Sequence, residues 1–226
     1  MNYQRLRIRR ITYTLLAIAA LAGLSYLLGW SSLFSVKSIV VTGAPANESV
    51  ELIAQRSGIQ KGEKLARIES RVAVRSLSRI SWIDHSQVRR DWLREKIIIT
   101  VWPRVPVARF NDMLLDKNGV GFQLTGYNAQ ALPLVNSSQP EDLDFSMSLL
   151  RALPESMSSQ LHSIDTQGSH FATLKLKVGV RVLDVVWGDE NDMELKVHVY
   201  QALLALPENR KITSMDLSAP HAPIVR

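Results

Sequence analysis

The sequence contains no cysteine among its 226 residues, which excludes disulfide bonds, thiolate metal sites and cysteine nucleophiles. Histidine is scarce as well: the five histidines lie apart and lack the H-x-x-x-H spacing on which many zinc sites are built. No G-x-S-x-G motif supplies an activated serine, and no glycine-rich phosphate loop is complete. The residues therefore indicate no metal site, no cofactor and no catalytic centre.

Long apolar runs without charge are absent too, apart from one near the N-terminus. Residues 11–28 carry no charge, and these 18 residues as an α-helix would measure about 27 Å, close to the thickness of a hydrocarbon core. Only Lys37 follows closely, whereas four basic residues precede the run: Arg5, Arg7, Arg9 and Arg10. The positive-inside rule then predicts a cytoplasmic stub over residues 1–10, a transmembrane signal anchor over residues 11–29 and an extracytoplasmic remainder.

A cleaved signal peptide is the alternative interpretation of this run. The apolar core of such a peptide is usually about 7 to 15 residues long and ends in a small-x-small cleavage site. Here the run is bordered by Tyr26 and Trp30, whose amphipathic rings suit a membrane interface, so we expect an uncleaved anchor. An exported chain without disulfides further indicates a bacterial envelope, since domains of this size fold there without covalent cross-links.

The net charge of +6 is unevenly distributed along the chain. Residues 56–109 contain 13 basic and 5 acidic side chains, whereas residues 110–226 contain 9 basic and 14 acidic ones. This asymmetry predicts two domains, of which the basic one lies nearer the membrane. A basic domain at that place suits anionic lipid or an acidic partner, whereas nucleic acid is not an expected partner of an exported domain.

Within the basic part, arginine recurs at every fourth position, at Arg67, Arg71, Arg75 and Arg79. On one helix these side chains would share a face, where each like-charged pair costs about 0.3 kcal/mol. Contact with lipid headgroups or with an acidic partner would offset that cost. The alternative interpretation is a solvated helix face, opposite an apolar stripe that includes Val72.

Apolar periodicity predicts the order β-α-α-β-β over residues 34–102 and further α+β structure after it. The Asn-Gly dipeptide at residues 118–119 lies between two apolar runs and predicts a hairpin. We expect one helix over residues 143–153 and another from Asp192, as its N-cap, to Leu206. The other extended segments of this half are predicted at residues 105–110, 113–116, 120–122, 132–135, 162–165, 172–178, 180–187, 212–217 and 222–225.

Seven segments, in the order in which they occur along the chain, together indicate a known protein family. They are VVTGA at residues 40–44, GIQKGE at 58–63, LSRISWI at 77–83, IITVWPRVPVA at 98–108, LLDKNGV at 114–120, MDLS at 215–218 and IVR at 224–226. Together they resemble the FtsQ/DivIB family of bacterial cell-division proteins. The resemblance implies an α+β fold with an N-terminal transmembrane helix, a POTRA domain over residues 34–104 and a mostly antiparallel β domain with two helices over residues 105–226.

The function that this resemblance implies is that of a non-catalytic, single-pass scaffold in the bacterial plasma membrane, concentrated at the division septum. Such a scaffold belongs to the divisome and interacts with other divisome components. It recruits FtsB-like and FtsL-like bitopic proteins and helps control septal peptidoglycan synthesis.

In this family the final strand binds FtsB as an open sheet edge. Matched by position, that edge consists here of Ala222, Pro223, Ile224, Val225 and Arg226. Pro223 lacks an N–H group, which both marks an edge and shortens the ladder that a partner can use. The preceding strand, over residues 212–217, should support this edge from inside the sheet. An ordinary terminal strand that binds nothing is the alternative.

Two other functions are compatible with an anchored, exported chain. A membrane-anchored envelope sensor or regulator would bind a small ligand, and a deep apolar pocket in the distal domain would favour it. An anchored cell-wall enzyme would need a histidine or carboxylate pair that converges in a cleft, and the sequence offers no such pairing.

Overall fold

The structure, a computed structural model, describes residues 2–30, 34–137, 139–168 and 171–226. The chain divides into two compact units, Met1–Pro103 and Arg104–Arg226. Each unit contains its own sheet, of three strands in the first and nine in the second.

The first unit begins with a long helix, α1 (Asn2–Trp30), whose side chains are described, and exposed, over residues 12–26. The backbone of the four N-terminal arginines lies in this helix, but their side chains are outside the described part: Arg5, Arg7, Arg9 and Arg10. Among the residues that the structure describes, no helix combines the length and the apolar character needed to cross a membrane. The transmembrane anchor at residues 11–29 therefore stays a prediction.

The remainder of the first unit has the predicted order β-α-α-β-β. Its elements are β1 (Ser38–Thr42), α2 (Val50–Arg56), α3 (Ser70–Leu77), β2 (Ile83–Asp91) and β3 (Lys96–Pro103). Strand β3 lies in the centre, parallel to β1 and antiparallel to β2. A parallel pair needs a crossover connection, and the two helices lie in the chain between β1 and β2.

Local sequence accounts for the two short helices. Ser49 caps α2, because its hydroxyl accepts a hydrogen bond from the backbone N–H of Leu52 at 3.1 Å. Each helix buries few side chains: Ile53 on α2, and Ala73 and Leu77 on α3. These residues belong to the core of this unit, which also contains the β3 side chains Ile97, Ile99 and Val101.

The prediction of one long arginine-bearing helix is wrong. Arg67 lies in a separate 3-10 turn, Leu65–Arg67, and the extended backbone of Ile68 separates that turn from α3. Arg79 follows the end of α3, so that only Arg71 and Arg75 lie on one helix. All four arginines are exposed. The break also changes the apolar stripe, since Val72 was expected in the core and is about half exposed (52%).

The second unit is built on a mixed sheet with the order β12-β11-β10-β9-β8-β7-β4-β5-β6. Its strands are β4 (Ala108–Phe110), β5 (Met113–Leu115), β6 (Gly121–Phe122), β7 (Leu134–Asn136), β8 (Leu161–Thr166), β9 (Ala172–Val178), β10 (Arg181–Gly188), β11 (Ser214–Asp216) and β12 (Ile224–Val225). Five pairings are antiparallel, and three are parallel: β4 with β7, β7 with β8, and β10 with β11.

Among the residues that the structure describes, three α-helices accompany this sheet, one more than expected: α4 (Pro140–Ala152), α5 (Glu155–Ser158) and α6 (Met193–Ala205). The main core joins α4 and α6 to the central strands, with fully buried residues such as Leu149, Leu174, Leu183, Val185 and Trp187. A smaller core cluster lies towards β4 and β5 and contains Ala108, Leu115, Val135 and Met147.

Helix α6 begins in a different way from the prediction. Asp192 is the N-cap residue, but it has a left-handed backbone (φ 54°), and its side chain makes no capping hydrogen bond. Instead, the buried Lys196 ammonium donates to the Asp189 carboxylate at 2.9 Å and to the Asp189 carbonyl oxygen at 3.0 Å. The hydrogen bond from Lys196 lowers the pKa of Asp189 below its ordinary value.

The predicted hairpin forms at residues 118–119, between β5 and β6, and a buried aspartate organises its loop. One Asp116 carboxylate oxygen accepts from the backbone N–H groups of Asn118 (2.8 Å) and Val120 (2.9 Å). The other oxygen accepts from the Arg104 guanidinium at 2.5 Å. Burial alone would raise the pKa of Asp116, but the hydrogen bonds from Val120, Arg104 and Asn118 outweigh it and lower this pKa below its ordinary value.

We expect Asp116→Asn to weaken this hairpin by about 1.5–3 kcal/mol at neutral pH, because a charge-assisted hydrogen bond to Arg104 is lost. The pKa of Asp116 is lower in the folded protein than in the unfolded chain, where it is 3.8. The ionised carboxylate therefore stabilises the fold at pH values above 3.8. This stabilisation is lost as the pH falls through the folded pKa. Amide hydrogen exchange of residues 113–122 at pH 7 and pH 3 measures the effect, and equal pH dependence in both proteins would contradict it.

Candidate functional site

Strand β12 forms one edge of the nine-stranded sheet, and among the described strands it has β11 as its single neighbour. The two strands are antiparallel, with Val225 opposite Met215 and Ile224 opposite Asp216. Strand β11 lies between β12 and β10, so the edge is supported from inside the sheet. Of the predicted segment of residues 222–226, Ile224 and Val225 form this edge strand, whereas Ala222 and Pro223 precede its ladder.

The hydrogen bonds between β11 and β12 determine which backbone groups of the edge face outward. Arg226 and Ser214 exchange two bonds: the Arg226 N–H donates to Ser214 at 3.0 Å, and the Ser214 N–H donates to the Arg226 carbonyl oxygen at 3.1 Å. Hydrogen-bonded and non-hydrogen-bonded pairs alternate along an antiparallel ladder. The N–H and C=O groups of Val225 therefore point away from β11, as does the carbonyl of Pro223.

The side chains of this edge point to two faces of the sheet. Val225 is partly buried and packs against the main core, whereas Ile224 is exposed over about half of its surface (51%). Ala222, Pro223 and Arg226 are exposed as well. The edge therefore combines one side chain attached to the core with an apolar and a basic side chain on the solvent face.

Comparison with known families matches both units of the chain. A POTRA domain of the FtsQ type matches residues 34–102, and the C-terminal domain of the cell division protein FtsQ/DivIB matches residues 104–218. The chain belongs to the FtsQ/DivIB family. This FtsQ/DivIB member is accordingly a protein of cell division, and its two described units correspond to the two family domains. No individually curated protein matches the chain.

Contacts between residues distant in the chain support the part of the second unit behind β12. The Arg181 guanidinium donates to the carbonyl oxygen of Ile212, 31 residues away, at 2.9 Å and so holds the segment directly before β11. Tyr200 is buried beneath the sheet, and burial raises its pKa to about 12, only partly offset by the positive charge of Arg181. The Tyr200 hydroxyl donates to the side-chain oxygen of Gln160 at 3.4 Å.

Sequence reasoning missed Arg181 and Tyr200, because the partners that define their roles are 31 and 40 residues away in the chain. The four predicted arginine contacts of the first unit are all exposed, but they are distributed over a 3-10 turn, α3 and the turn that follows it. The structure does not join them into one helical stripe.

The second unit also contains a mainly apolar cleft of about 410 Å³. Its lining includes Val107, Pro133, Met147 and Leu150, with Lys117 and Arg151 beside them. A deep apolar pocket in the distal domain would favour the sensor interpretation, whereas this cleft is open to solvent.

Proposed function

We propose that this FtsQ/DivIB family member is a non-catalytic scaffold of the divisome that recruits FtsB-like and FtsL-like bitopic proteins and helps control septal peptidoglycan synthesis. Family membership supports the cell-division role. The observation that carries the recruitment proposal is the position of β12 at a sheet edge, with both backbone groups of Val225 turned outward.

We further propose a single-pass topology, with a cytoplasmic N-terminus and with both sheet-containing units outside the cytoplasm at the septum. The support is the uncharged run of residues 11–28 and the four arginines before it. The exposed Arg67, Arg71, Arg75 and Arg79 are proposed to contact anionic lipid or an acidic partner as separate groups, since they do not share one helix.

Strand addition explains how this edge recruits a partner. An extended segment that pairs with β12 forms main-chain hydrogen bonds with Val225, while side chains on alternate sides give specificity. On the core side, the segment needs an apolar residue next to Val225. On the solvent side, it meets Ile224 and Arg226, so an apolar residue and an acidic one are complementary. The ladder is short, because Pro223 offers no N–H.

The test is capture of the purified FtsB-like protein of the same cell by the detergent-solubilised full chain and by its Ile224→Lys variant. We expect Lys to weaken binding by about tenfold, because burying an unpaired charge beside an added strand costs more than 1 kcal/mol. Val182→Lys is the matched control, since Val182 is similarly exposed (45%) but lies on β10, two strands from the edge. If all three proteins capture the partner equally well, the binding site does not lie on β12.

A further inference from the structure

A second concave surface lies in the second unit, between the β4–β5 hairpin and the segment 127–130. It has a volume of about 530 Å³. Asn111 and Asp112 form the tip of the hairpin, and Leu114 is buried at the inner side of the cleft. Tyr127 contributes an aromatic ring that is 44% exposed. Neither the β12 edge nor the apolar cleft includes these residues.

Arg109, on β4, lines this cleft, and its guanidinium also contains an unsatisfied donor. Its Nε atom is fully buried, and within the described part of the chain it has no hydrogen-bond partner. A buried donor without a partner costs about 1–3 kcal/mol, more when the group is charged, so such an atom requires an explanation. The backbone N–H of Arg109 donates to Pro133 at 2.9 Å, which holds the residue in the sheet beside the cleft.

The other polar groups around Arg109 can mostly donate hydrogen bonds. The Asn128 side-chain oxygen already accepts the backbone N–H of Gln130 at 3.1 Å, so its amide NH₂ is the group left for a ligand. Asn111 and Gln130 add two more amides, and Tyr127 adds a hydroxyl. Asp112 is the one acid of the lining and is exposed.

The geometry points to a binding site for a small molecule that carries an oxyanion, either a carboxylate or a phosphate, next to a flat ring. Arg109 binds the oxyanion through its planar guanidinium, and the amides donate additional hydrogen bonds. The cleft is far larger than a bare ion, since one water occupies about 30 Å³. The ring of Tyr127 offers a stacking surface for the remainder of the ligand. This inference does not rest on the proposed recruitment of division proteins.

The experiment observes the Arg109 Nε–H group directly in the full chain, labelled with ¹⁵N-arginine and solubilised in detergent. Benzoate and phenyl phosphate are the two charged probes with a ring. Acetate and inorganic phosphate lack the ring, and benzyl alcohol lacks the charge. We expect one or both ring-bearing anions to shift the Arg109 signal and to bind about tenfold more tightly than the same anion without a ring. The stronger of the two identifies the oxyanion.

Two variants distinguish a specific binding site from non-specific electrostatic attraction of anions. Arg109→Lys assigns the signal and keeps the positive charge, but it loses the planar fork, so we expect about tenfold weaker binding. Asp112→Asn removes the opposing charge, and affinity should rise about threefold. If no probe shifts the Arg109 signal, the buried Nε–H group is bonded to ordered water instead of a ligand, and the proposal is overturned. An equal response to benzyl alcohol, or unchanged affinity in Arg109→Lys, would also overturn it.

Discussion

Val225→Pro is expected to abolish capture of the FtsB-like partner while the second unit stays folded. The N–H of Val225 points away from β11, so proline removes no hydrogen bond within the protein. Proline is tolerated on edge strands where the N–H faces outward. For an added strand, however, it removes a main-chain donor and places a ring in the path of the partner's backbone. We expect binding to weaken by at least about 30-fold, since a hydrogen bond and the steric fit are lost together.

The matched control is Val225→Ala. Alanine keeps the outward N–H and loses part of the contact between Val225 and the core. A packing effect would therefore appear in both variants, and a backbone effect only in the proline variant. The measurement is titration of the full chain with the purified partner, combined with hydrogen exchange at β11 to establish that the edge is folded. Comparable binding by Val225→Pro and the unmodified protein would exclude strand addition at β12.

Gly43→Ala is expected to unfold the sheet of the first unit or to weaken it severely. Gly43 directly follows β1 and has a φ of +86°, where a side chain is strained. A Cβ at this position would lie 2.1 Å from the backbone oxygen of Val101 on β3. Since that oxygen belongs to the central strand, it cannot move without breaking the β1–β3 pairing. We expect a loss of about 3 kcal/mol or more, from clash and backbone strain together.

Gly58→Ala separates these two causes. Gly58 also has a positive φ (+75°), but a Cβ there would meet nothing within 4 Å. Its substitution should cost only the backbone strain of about 1–2 kcal/mol. Hydrogen exchange of β3 amides in the two variants measures the difference within one unit. A similar loss of protection in both would show that the contact with Val101 does not govern the effect.

Several local elements could be predicted because short-range chemistry determines them. Ser49 precedes helix α2 and caps it, because its hydroxyl accepts the backbone N–H of Leu52, three positions away. The Asn-Gly turn at residues 118–119 connects two paired strands, as the flanking apolar runs predicted. The β-α-α-β-β order of the first unit also follows from apolar periodicity. Each of these features depends on residues within a few positions of one another.

Other predictions failed where tertiary contacts outweighed a regular spacing. Four arginines at every fourth position resemble one helical stripe, but Ile68 is buried in an extended conformation and divides the segment into a 3-10 turn and α3. Asp192 has the residue type of a cap, yet its side chain makes no capping hydrogen bond, and the buried Lys196 of α6 binds Asp189. A spacing pattern contains no information about such competing partners.

The sequence by itself determined the family, the order of the elements in the first unit and the segment in which an edge strand was expected. These depend on local motifs and their order along the chain. Only the tertiary structure decided that Val225 directs its N–H outward, that Arg181 holds the segment before β11 and that Arg109, which lines a cleft, buries an unpaired donor. The physical reason is that strand register and long-range hydrogen bonds join residues tens of positions apart, and no local pattern encodes those pairings.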